Sequence, residues 1–218
     1  MICIALSSKN INTCIDWLDK VEMAEIRLDL TAFGPEEIKR VFSHKTPAIA
    51  TCRPEKLGTD KQFEMLSRAI EAGAHYVDIE YEAPKDQVEN IRRIAMKNRC
   101  KLIVSYHNFV ETPGLRELYK IADECYAKGA DIAKIATHVL SDEDNARLLS
   151  LYSISKPLIA LGMGDKGKIS RLMAPFLGAV FTFAAMDEGN ATAPGQINYS
   201  RMKKTLGEIL DSWSMAFV

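Results

Sequence analysis

The chain has 218 residues, of which 47% are hydrophobic and 26% are charged, so it can bury one sizeable core. Its formal net charge of -1 provides no basic surface for a polyanion, and we expect neither nucleic acid nor an anionic membrane as a partner. The length is typical of a lean α/β barrel or a small doubly wound sheet, with one domain over residues 1–218. Any binding of an anion must therefore use local positive charge.

The cysteines indicate a reducing environment. Their count is odd, no two have C-x-x-C spacing, and they lie in apolar runs. They are Cys3, Cys14, Cys52, Cys100 and Cys125. Buried free thiols are the favoured interpretation. Residues 1–10 become polar before a signal-peptide core could form, and no apolar run is long enough to cross a bilayer, so we expect a cytoplasmic protein.

Short apolar, β-branched runs alternate with amphipathic stretches along the whole chain. The runs predict eight strands, over residues 2–6, 24–28, 48–52, 75–80, 102–106, 132–136, 158–161 and 179–183. The amphipathic stretches, with apolar residues three and four apart, predict helices that include residues 35–42, 61–72, 84–97, 115–128, 143–152 and 199–213.

This alternation predicts the fold. A strand followed by a helix and another strand requires a right-handed crossover and a parallel sheet, and eight such repeats close into a (β/α)8 TIM barrel. A doubly wound sheet is the second possibility. Pro35 and Pro84 suit the first position of a helix. Gly73, Gly129 and Gly178 each follow a helical stretch, where a left-handed residue ends the helix.

Ionisable side chains interrupt the predicted strands, mostly at their carboxyl ends. They are Glu25, Arg27 and Asp29 on the second strand, Arg53 ending the third, Asp78 and Glu80 on the fourth, His107 after the fifth, and Lys134 on the sixth. Parallel strands are normally buried on both faces, and barrel active sites form at the carboxyl ends, so these residues predict one polar pocket. Structural salt bridges, such as Glu25 with Arg27 or Asp78, are the alternative, and we favour it for Asp78.

Lys134 is the strongest candidate for chemistry. Its neighbours Ile132, Ala133, Ile135 and Ala136 are apolar, so burial should disfavour the ammonium and make the neutral amine available as a nucleophile. Amines of this kind form Schiff bases with carbonyl substrates. His107, at the end of the adjacent strand, can exchange protons near neutral pH. Together they predict imine formation followed by removal of a proton beside the imine.

Five segments in chain order closely resemble type I 3-dehydroquinate dehydratases. They are EIRLD at 25–29, SYHNF at 105–109, AKIA at 133–136, GKISR at 167–171 and APGQI at 193–197. Each is weak alone, but together they are in register with the eight repeats. The first strand starts at Ile2, and the resemblance implies a compact member without an additional N-terminal hairpin.

By that resemblance, Lys134 forms an imine with the C3 ketone of 3-dehydroquinate, and His107 is the general acid and base. His107 assists imine formation, removes the C2 proton, and protonates the departing C1 hydroxyl in a syn elimination that gives 3-dehydroshikimate. Because the imine is the electron sink, no metal or organic cofactor is implied. The reaction belongs to the shikimate pathway of aromatic amino acid biosynthesis.

The resemblance also implies the substrate contacts. Arg171 holds the carboxylate through a bidentate, charge-assisted contact, which suits a guanidinium. The remaining contacts are Glu25, Arg27, Arg53, Thr192 and Gln196 to the hydroxyls and carboxylate region, with Met163 and Phe183 lining the pocket. Exposed helices on such barrels often form symmetric interfaces, and we expect a homodimer.

Residue 57 departs from the family pattern. Members usually have a glutamate four residues after Arg53, where it orients the histidine, and this chain has Leu57. An imidazole without that acceptor has a less defined tautomer and a less basic nitrogen. Glu55 or Glu80 are candidates to replace it, and we expect His107 to remain the acid and base.

Other features have ordinary interpretations as alternatives. Residues 186–193 are small and polar and predict a lid that closes on the substrate, or else a simple loop. His138 is interpreted as a loop residue, and His44 and His75 have no spacing suited to a zinc site.

Two other functions remain possible from the sequence. A Schiff-base aldolase would use the same lysine, with the glycine-rich residues 162–167 holding a sugar phosphate. A non-catalytic pocket protein of dehydratase descent could have lost its chemistry through Leu57. We rank both below the dehydratase because Lys134, His107 and Arg171 are all present.

Overall fold

The computed structural model describes residues 1–186 and 192–215, with side chains described up to residue 211. Its eight strands form one parallel sheet in the order β7-β6-β5-β4-β3-β2-β1-β8. The strands are β1 Ile2–Leu6, β2 Met23–Arg27, β3 Ala48–Thr51, β4 Tyr76–Glu80, β5 Lys101–Asn108, β6 Ile132–His138, β7 Leu158–Met163 and β8 Thr182–Ala185. The Val180 backbone N–H donates to the Leu158 carbonyl (3.2 Å), which links the starts of β8 and β7. The predicted (β/α)8 barrel is confirmed.

Helices connect the strands and cover the outside of the barrel. They are α1 Ile11–Leu18, α2 Leu28–Thr31, α3 Pro35–Phe42, α4 Thr59–Glu71, α5 Lys85–Lys97, α6 Leu115–Ala127, α7 Asp142–Ser150, α8 Lys168–Met173 and α9 Tyr199–Met215, with 3-10 turns at Leu151–Ser153 and Ala174–Leu177. None of the described helices is both long and apolar enough to cross a membrane.

Local signals in the sequence place several element ends correctly. Pro35 occupies the start of α3, whereas Pro84 lies one residue before α5 as its N-cap. Gly73, Gly129 and Gly178 have φ of 110°, 91° and 106°, the left-handed conformation predicted for them.

Besides Pro84 and shifts of one or two residues at other strand ends, three placements differ from the prediction. Strand β8 begins at Thr182 rather than residue 179, because the backbone N–H groups of Ala179 and Val180 bond to Ala174 and Leu158 before the strand pairs with β1. Asp29 lies in the short helix α2 rather than on the second strand. Arg53 lies two residues beyond the end of β3.

The barrel interior changes from apolar to polar along the strand direction. Its amino-terminal half is filled by a cluster that includes Met23, Ile49, Ile103, Ile132 and Phe181. Side chains two residues further along a strand point to the same face. The positions that follow these apolar ones therefore project into the carboxyl half of the interior.

Candidate active site

The polar side chains of the site lie two or four residues after apolar residues of the barrel interior, on the same face of their strands. After Met23 come Glu25 and Arg27, after Ile103 come Ser105 and His107, and after Ile132 comes Lys134. The pairing register puts Ser105 beside Lys134 and His107 beside Ala136. The polar residues predicted at the strand ends thus lie around the mouth of one barrel.

These side chains line a cavity of about 470 Å³ at the carboxyl ends of the strands. All ten site residues predicted from the sequence line it: Glu25, Arg27, Arg53, His107, Lys134, Met163, Arg171, Phe183, Thr192 and Gln196. Its wall also includes acidic residues outside the predicted set, namely Asp29, Glu55, Glu80 and Glu82. The volume is in the range of pockets for small organic ligands.

Lys134 is buried but lies among charged groups. Its side chain is 7% exposed, and its Nζ lies 2.9 Å from Asp78 Oδ2 and 3.6 Å from Glu25 Oε1. The same nitrogen lies 4.4 Å from the centre of the Phe183 ring. The residues next to Lys134 in sequence are apolar, but the groups around its Nζ belong to other strands and include two carboxylates. Two carboxylates and an aromatic face offset the cost of burying the ammonium.

Asp78 is the main partner of Lys134, and it was interpreted from the sequence as structural only. It is fully buried on β4, where Ser105 Oγ donates to it (2.6 Å) and Arg53 NH2 forms a 2.8 Å salt bridge. Burial raises the pKa of its carboxyl, but the charges of Arg53 and Lys134 outweigh burial and hold the pKa well below its usual range. Asp78 is therefore ionised and lies directly against the candidate nucleophile.

His107 lies at the carboxyl end of β5, with its ring stacked near Phe109 at 6.1 Å between centres. Burial, and then the positive charges of Arg53 and Lys134, lower its pKa well below the ordinary value of 6.5, against the opposing charge of Asp78. These surroundings favour the neutral form of the imidazole. No hydrogen bond to its ring nitrogens is found within residues 1–186 and 192–211.

The position of the missing family glutamate lies outside the cavity wall. Leu57 is 40% exposed, just before α4, whereas Glu55 and Glu80 both line the cavity. Glu80 is held by Arg53 (2.7 Å) and Gln62 (2.7 Å). Of the two candidates to replace the glutamate, Glu80 is therefore already committed to other partners.

Arg171 is a buried cation without a counter-ion among the described side chains. It is 2% exposed on α8, its Nε has no hydrogen-bond partner there, and burial lowers the pKa of its guanidinium to about 10. A buried charge without a partner is costly. Its side chain lines the cavity, where it can contact an anionic ligand.

The rest of the predicted set includes Arg27 and a pair of polar side chains. Arg27 donates to both oxygens of Asp29 (3.1 and 2.8 Å). Thr192 Oγ1 accepts from Gln196 Nε2 (3.2 Å), and Gln196 Oε1 accepts from the Thr192 backbone N–H (2.8 Å).

A close backbone contact fixes the position of this pair. A Cβ at Gly195 would lie 2.1 Å from the Gly164 carbonyl, so only glycine allows the β7–α8 loop to approach the segment that carries Gln196. Residues 187–191, most of the predicted lid, lie outside the described residues. Within the described part of the chain, no group of three or more metal-binding side chains is present.

A family model described as type I 3-dehydroquinase matches residues 2–211. The chain belongs to the type I 3-dehydroquinase family. It is 35% identical to a 3-dehydroquinate dehydratase of Methanococcus maripaludis over 94% of this chain and 98% of that one. A Pyrococcus abyssi protein of the same name is 33% identical, over 95% and 99%.

Solved structures of family members have the same architecture. The type I 3-dehydroquinate dehydratase of Clostridium difficile, solved with covalently modified comenic acid, superposes with a TM-score of 0.84 at 26% identity, covering 97% of this chain and 92% of that one. The 3-dehydroquinate dehydratase of Aquifex aeolicus gives 0.81 at 30% identity, covering 95% and 98%. A 3-hexulose-6-phosphate synthase with a TM-score of 0.63 and 15% identity shares the fold alone.

Proposed function

We propose that the chain converts 3-dehydroquinate to 3-dehydroshikimate in the shikimate pathway, with Lys134 as the Schiff-base nucleophile. The observation that supports these residue roles is the meeting of three side chains around one cavity: Lys134, His107 with its lowered pKa, and Arg171, which has no carboxylate partner within the described residues. An amine, a base and an anion site are the three groups needed to dehydrate a hydroxylated keto acid through an imine.

Lys134 starts the reaction by adding to the C3 ketone. The resulting carbinolamine loses water to give a protonated imine, which withdraws electrons from the neighbouring C2–H bond. His107 removes the C2 proton, and the electron pair passes into the imine to form an enamine. The enamine then expels the C1 hydroxyl, to which His107 returns a proton, and water leaves. Hydrolysis of the new imine restores the amine and releases the product.

The charges around the site suit these steps. His107 begins neutral and can accept a proton immediately, because the nearby cations disfavour its charged form. Lys134 attacks as the neutral amine, and Asp78 and Glu25 are the carboxylates that lie against its Nζ. A substrate that displaces part of this pairing would free the amine.

Arg171 supplies the binding energy for the substrate carboxylate. Its fork of donors matches two carboxylate oxygens, and burial makes the contact stronger than at the surface. The rest of the cavity wall carries both acidic and basic side chains, which can form hydrogen bonds with the several hydroxyl groups of the substrate ring. Those contacts are proposed for Glu25, Arg27, Arg53, Thr192 and Gln196, with Met163 and Phe183 against the carbon skeleton.

The proposed roles are tested by turnover of 3-dehydroquinate, followed by the absorbance of the conjugated product. We expect wild-type protein to turn over without added metal or cofactor, and His107→Ala to lose about 10²-fold to 10⁴-fold in kcat. Near wild-type turnover by His107→Ala would show that another group moves the proton. Sugar phosphates should neither react nor compete, and cleavage of a phosphorylated ketose would instead indicate an aldolase.

We further propose that the protein is a cytoplasmic homodimer. All five cysteines are buried and free, which suits a reducing compartment. Outer helical surfaces of barrels commonly form two-fold interfaces. Light scattering after size exclusion would give a mass near 49 kDa, about twice the 24.3 kDa of the chain. A mass of one chain at micromolar concentration would contradict the dimer.

A further inference from the structure

A buried glutamine lies behind the polar wall of the cavity. Gln62 is fully buried on α4, where its Nε2 donates to Glu80 Oε2 (2.7 Å) and to the Cys52 carbonyl (2.7 Å). Its Oε1 accepts from Gln87 Nε2 on α5 (2.8 Å). Burying an amide is costly unless its donors and acceptor are satisfied, and here both ends are.

The contacts continue from Glu80 to the nucleophile. Glu80 Oε1 accepts from Arg53 NH1 (2.7 Å), and Arg53 NH2 contacts Asp78 Oδ1 (2.8 Å). Asp78 Oδ2 accepts from Lys134 Nζ (2.9 Å). Gln62, Glu80, Arg53, Asp78 and Lys134 thus form an unbroken series of hydrogen bonds from helix α4 to the amine.

We propose that Gln62 is a positioning residue that holds Glu80, and through Glu80 the Arg53–Asp78 pair, so that Lys134 keeps the geometry needed for imine formation. The guanidinium of Arg53 is shared between two carboxylates, and its orientation depends on where each of them is fixed. Asp78 is anchored by its own strand and by Ser105. Glu80, nearer the end of β4, is fixed from behind by Gln62.

The neutral amide suits this role. A cation at residue 62 would compete with Arg53 for Glu80, and an apolar side chain would leave one Glu80 oxygen and the Cys52 carbonyl without a donor. A geometry error of about 1 Å in a supporting side chain is enough to slow a reaction by about 10²-fold. Gln62 therefore acts through other residues and touches no reacting atom.

The test compares three variants of the full chain. Gln62→Met keeps the length of the side chain but removes its hydrogen bonds, and Gln87→Met removes only the outer donor. Ile70→Ala, fully buried on the same helix and outside the network, is the matched control for loss of stability. Each is assayed for kcat and KM with 3-dehydroquinate and for its melting temperature.

We expect Gln62→Met to lower kcat about tenfold and to change KM less than about threefold. Arg171 binds the substrate outside this network, and Arg53, a proposed substrate contact within it, keeps its salt bridge to Asp78. Gln87→Met should lower kcat by about twofold to threefold, again with little change in KM. Ile70→Ala should lower the melting temperature at unchanged kcat. Wild-type kcat in Gln62→Met would overturn the proposal. So would the same kcat in Gln62→Met and Ile70→Ala when the two variants lose equal stability, because the effect would then follow from destabilisation alone.

Two further outcomes are informative. If Gln62→Met fails to fold, Gln87→Met decides alone, and wild-type kcat in that variant counts against the proposal. The inference rests on the proposed function, and the two fail differently. Absence of turnover by wild-type protein would reject the function, whereas wild-type turnover that is retained by Gln62→Met would reject the role of Gln62 alone.

Discussion

Lys134 and Arg171 are both buried cations that line the same cavity, but their surroundings are opposite. Lys134 Nζ has Asp78 at 2.9 Å and Glu25 at 3.6 Å. Arg171 has no carboxylate partner within the described residues, and burial lowers its pKa to about 10. Within the part of the chain that the structure describes, carboxylates compensate the charge of Lys134 but not that of Arg171.

This difference in counter-ions fits the two roles proposed above, a nucleophile at Lys134 and an anion-binding group at Arg171. A cation with its own counter-ions costs the folded protein little, but it must be released from them before it can act as a nucleophile. A cation without a counter-ion lowers the stability of the empty protein and provides binding energy once an anion arrives. If Arg171 binds the substrate as proposed, its role lowers the stability of the empty protein, whereas the proposed role of Lys134 does not.

The largest expected effect is on catalysis, from Lys134→Met. This variant removes the nucleophile and should lower kcat by about 10⁴-fold or more, since the remaining groups have no imine to act on. Lys101→Met, an exposed lysine at the opposite end of the barrel, is the control and should retain wild-type kcat. If Lys134→Met retained even a tenth of the wild-type kcat, Lys134 could not be the nucleophile.

The next effect is on stability, from Asp78→Asn. Two buried cations lose a shared counter-ion, and the free energy of unfolding should fall by about 3 kcal/mol. Chemical denaturation measures it, with Asp165→Asn at an exposed salt bridge as a control that should leave the midpoint unchanged. Equal midpoints for the two variants would mean that the carboxylate is not needed to compensate Lys134 and Arg53.

Arg171→Met should increase the stability of the protein, whereas Asp78→Asn should decrease it. Because the described residues provide no carboxylate for this guanidinium, its removal should raise the free energy of unfolding by about 1 kcal/mol, or the melting temperature by about 3 °C. The same change should raise KM by about 10²-fold because the substrate carboxylate loses its partner. Arg68→Met, on an exposed face of α4, should alter neither quantity. A destabilised Arg171→Met with unchanged KM would contradict the comparison.

The smallest effect is on pH dependence. The pKa of His107 is lowered below 6.5, so the base form persists as the pH falls, and kcat/KM should decline only below about pH 6.5. In the same range the unfolded chain takes up a proton on this histidine before the folded chain does, so stability decreases as pH falls. An acid limb centred above pH 7 would show that the imidazole is charged in the free protein.

Strand periodicity was enough to predict the barrel and the edge where the site forms. Alternation of apolar and polar residues within β2, β5 and β6 fixed which side chains enter the interior, and eight repeats predicted closure. The exact start of β8 could not be predicted, because residues 179–181 are as apolar as a strand, but the backbone N–H groups of Ala179 and Val180 bond to Ala174 and Leu158 instead. The six-residue α8 is too short for its periodicity to be recognised.

Contacts between strands could not be predicted in the same way. The sequence places Asp78 and Lys134 on β4 and β6, with β5 between them, and their 2.9 Å contact exists only because the closed barrel brings alternate strands together inside. Gln62 gave no signal, since one polar residue in an amphipathic helix is ordinarily exposed. Family resemblance supplied the roles of Arg171 and Gln196, which no local pattern indicates.

The most direct test of the account is reduction with borohydride in the presence of 3-dehydroquinate. We predict a stable adduct on Lys134, located by peptide mass spectrometry and absent from Lys134→Met. Its mass should equal that of the protein plus 3-dehydroquinate or its dehydrated product, less one water from imine formation and plus two hydrogens from reduction. Turnover of the substrate with no adduct, or an adduct on a different lysine, would contradict the assignment of Lys134 as the nucleophile.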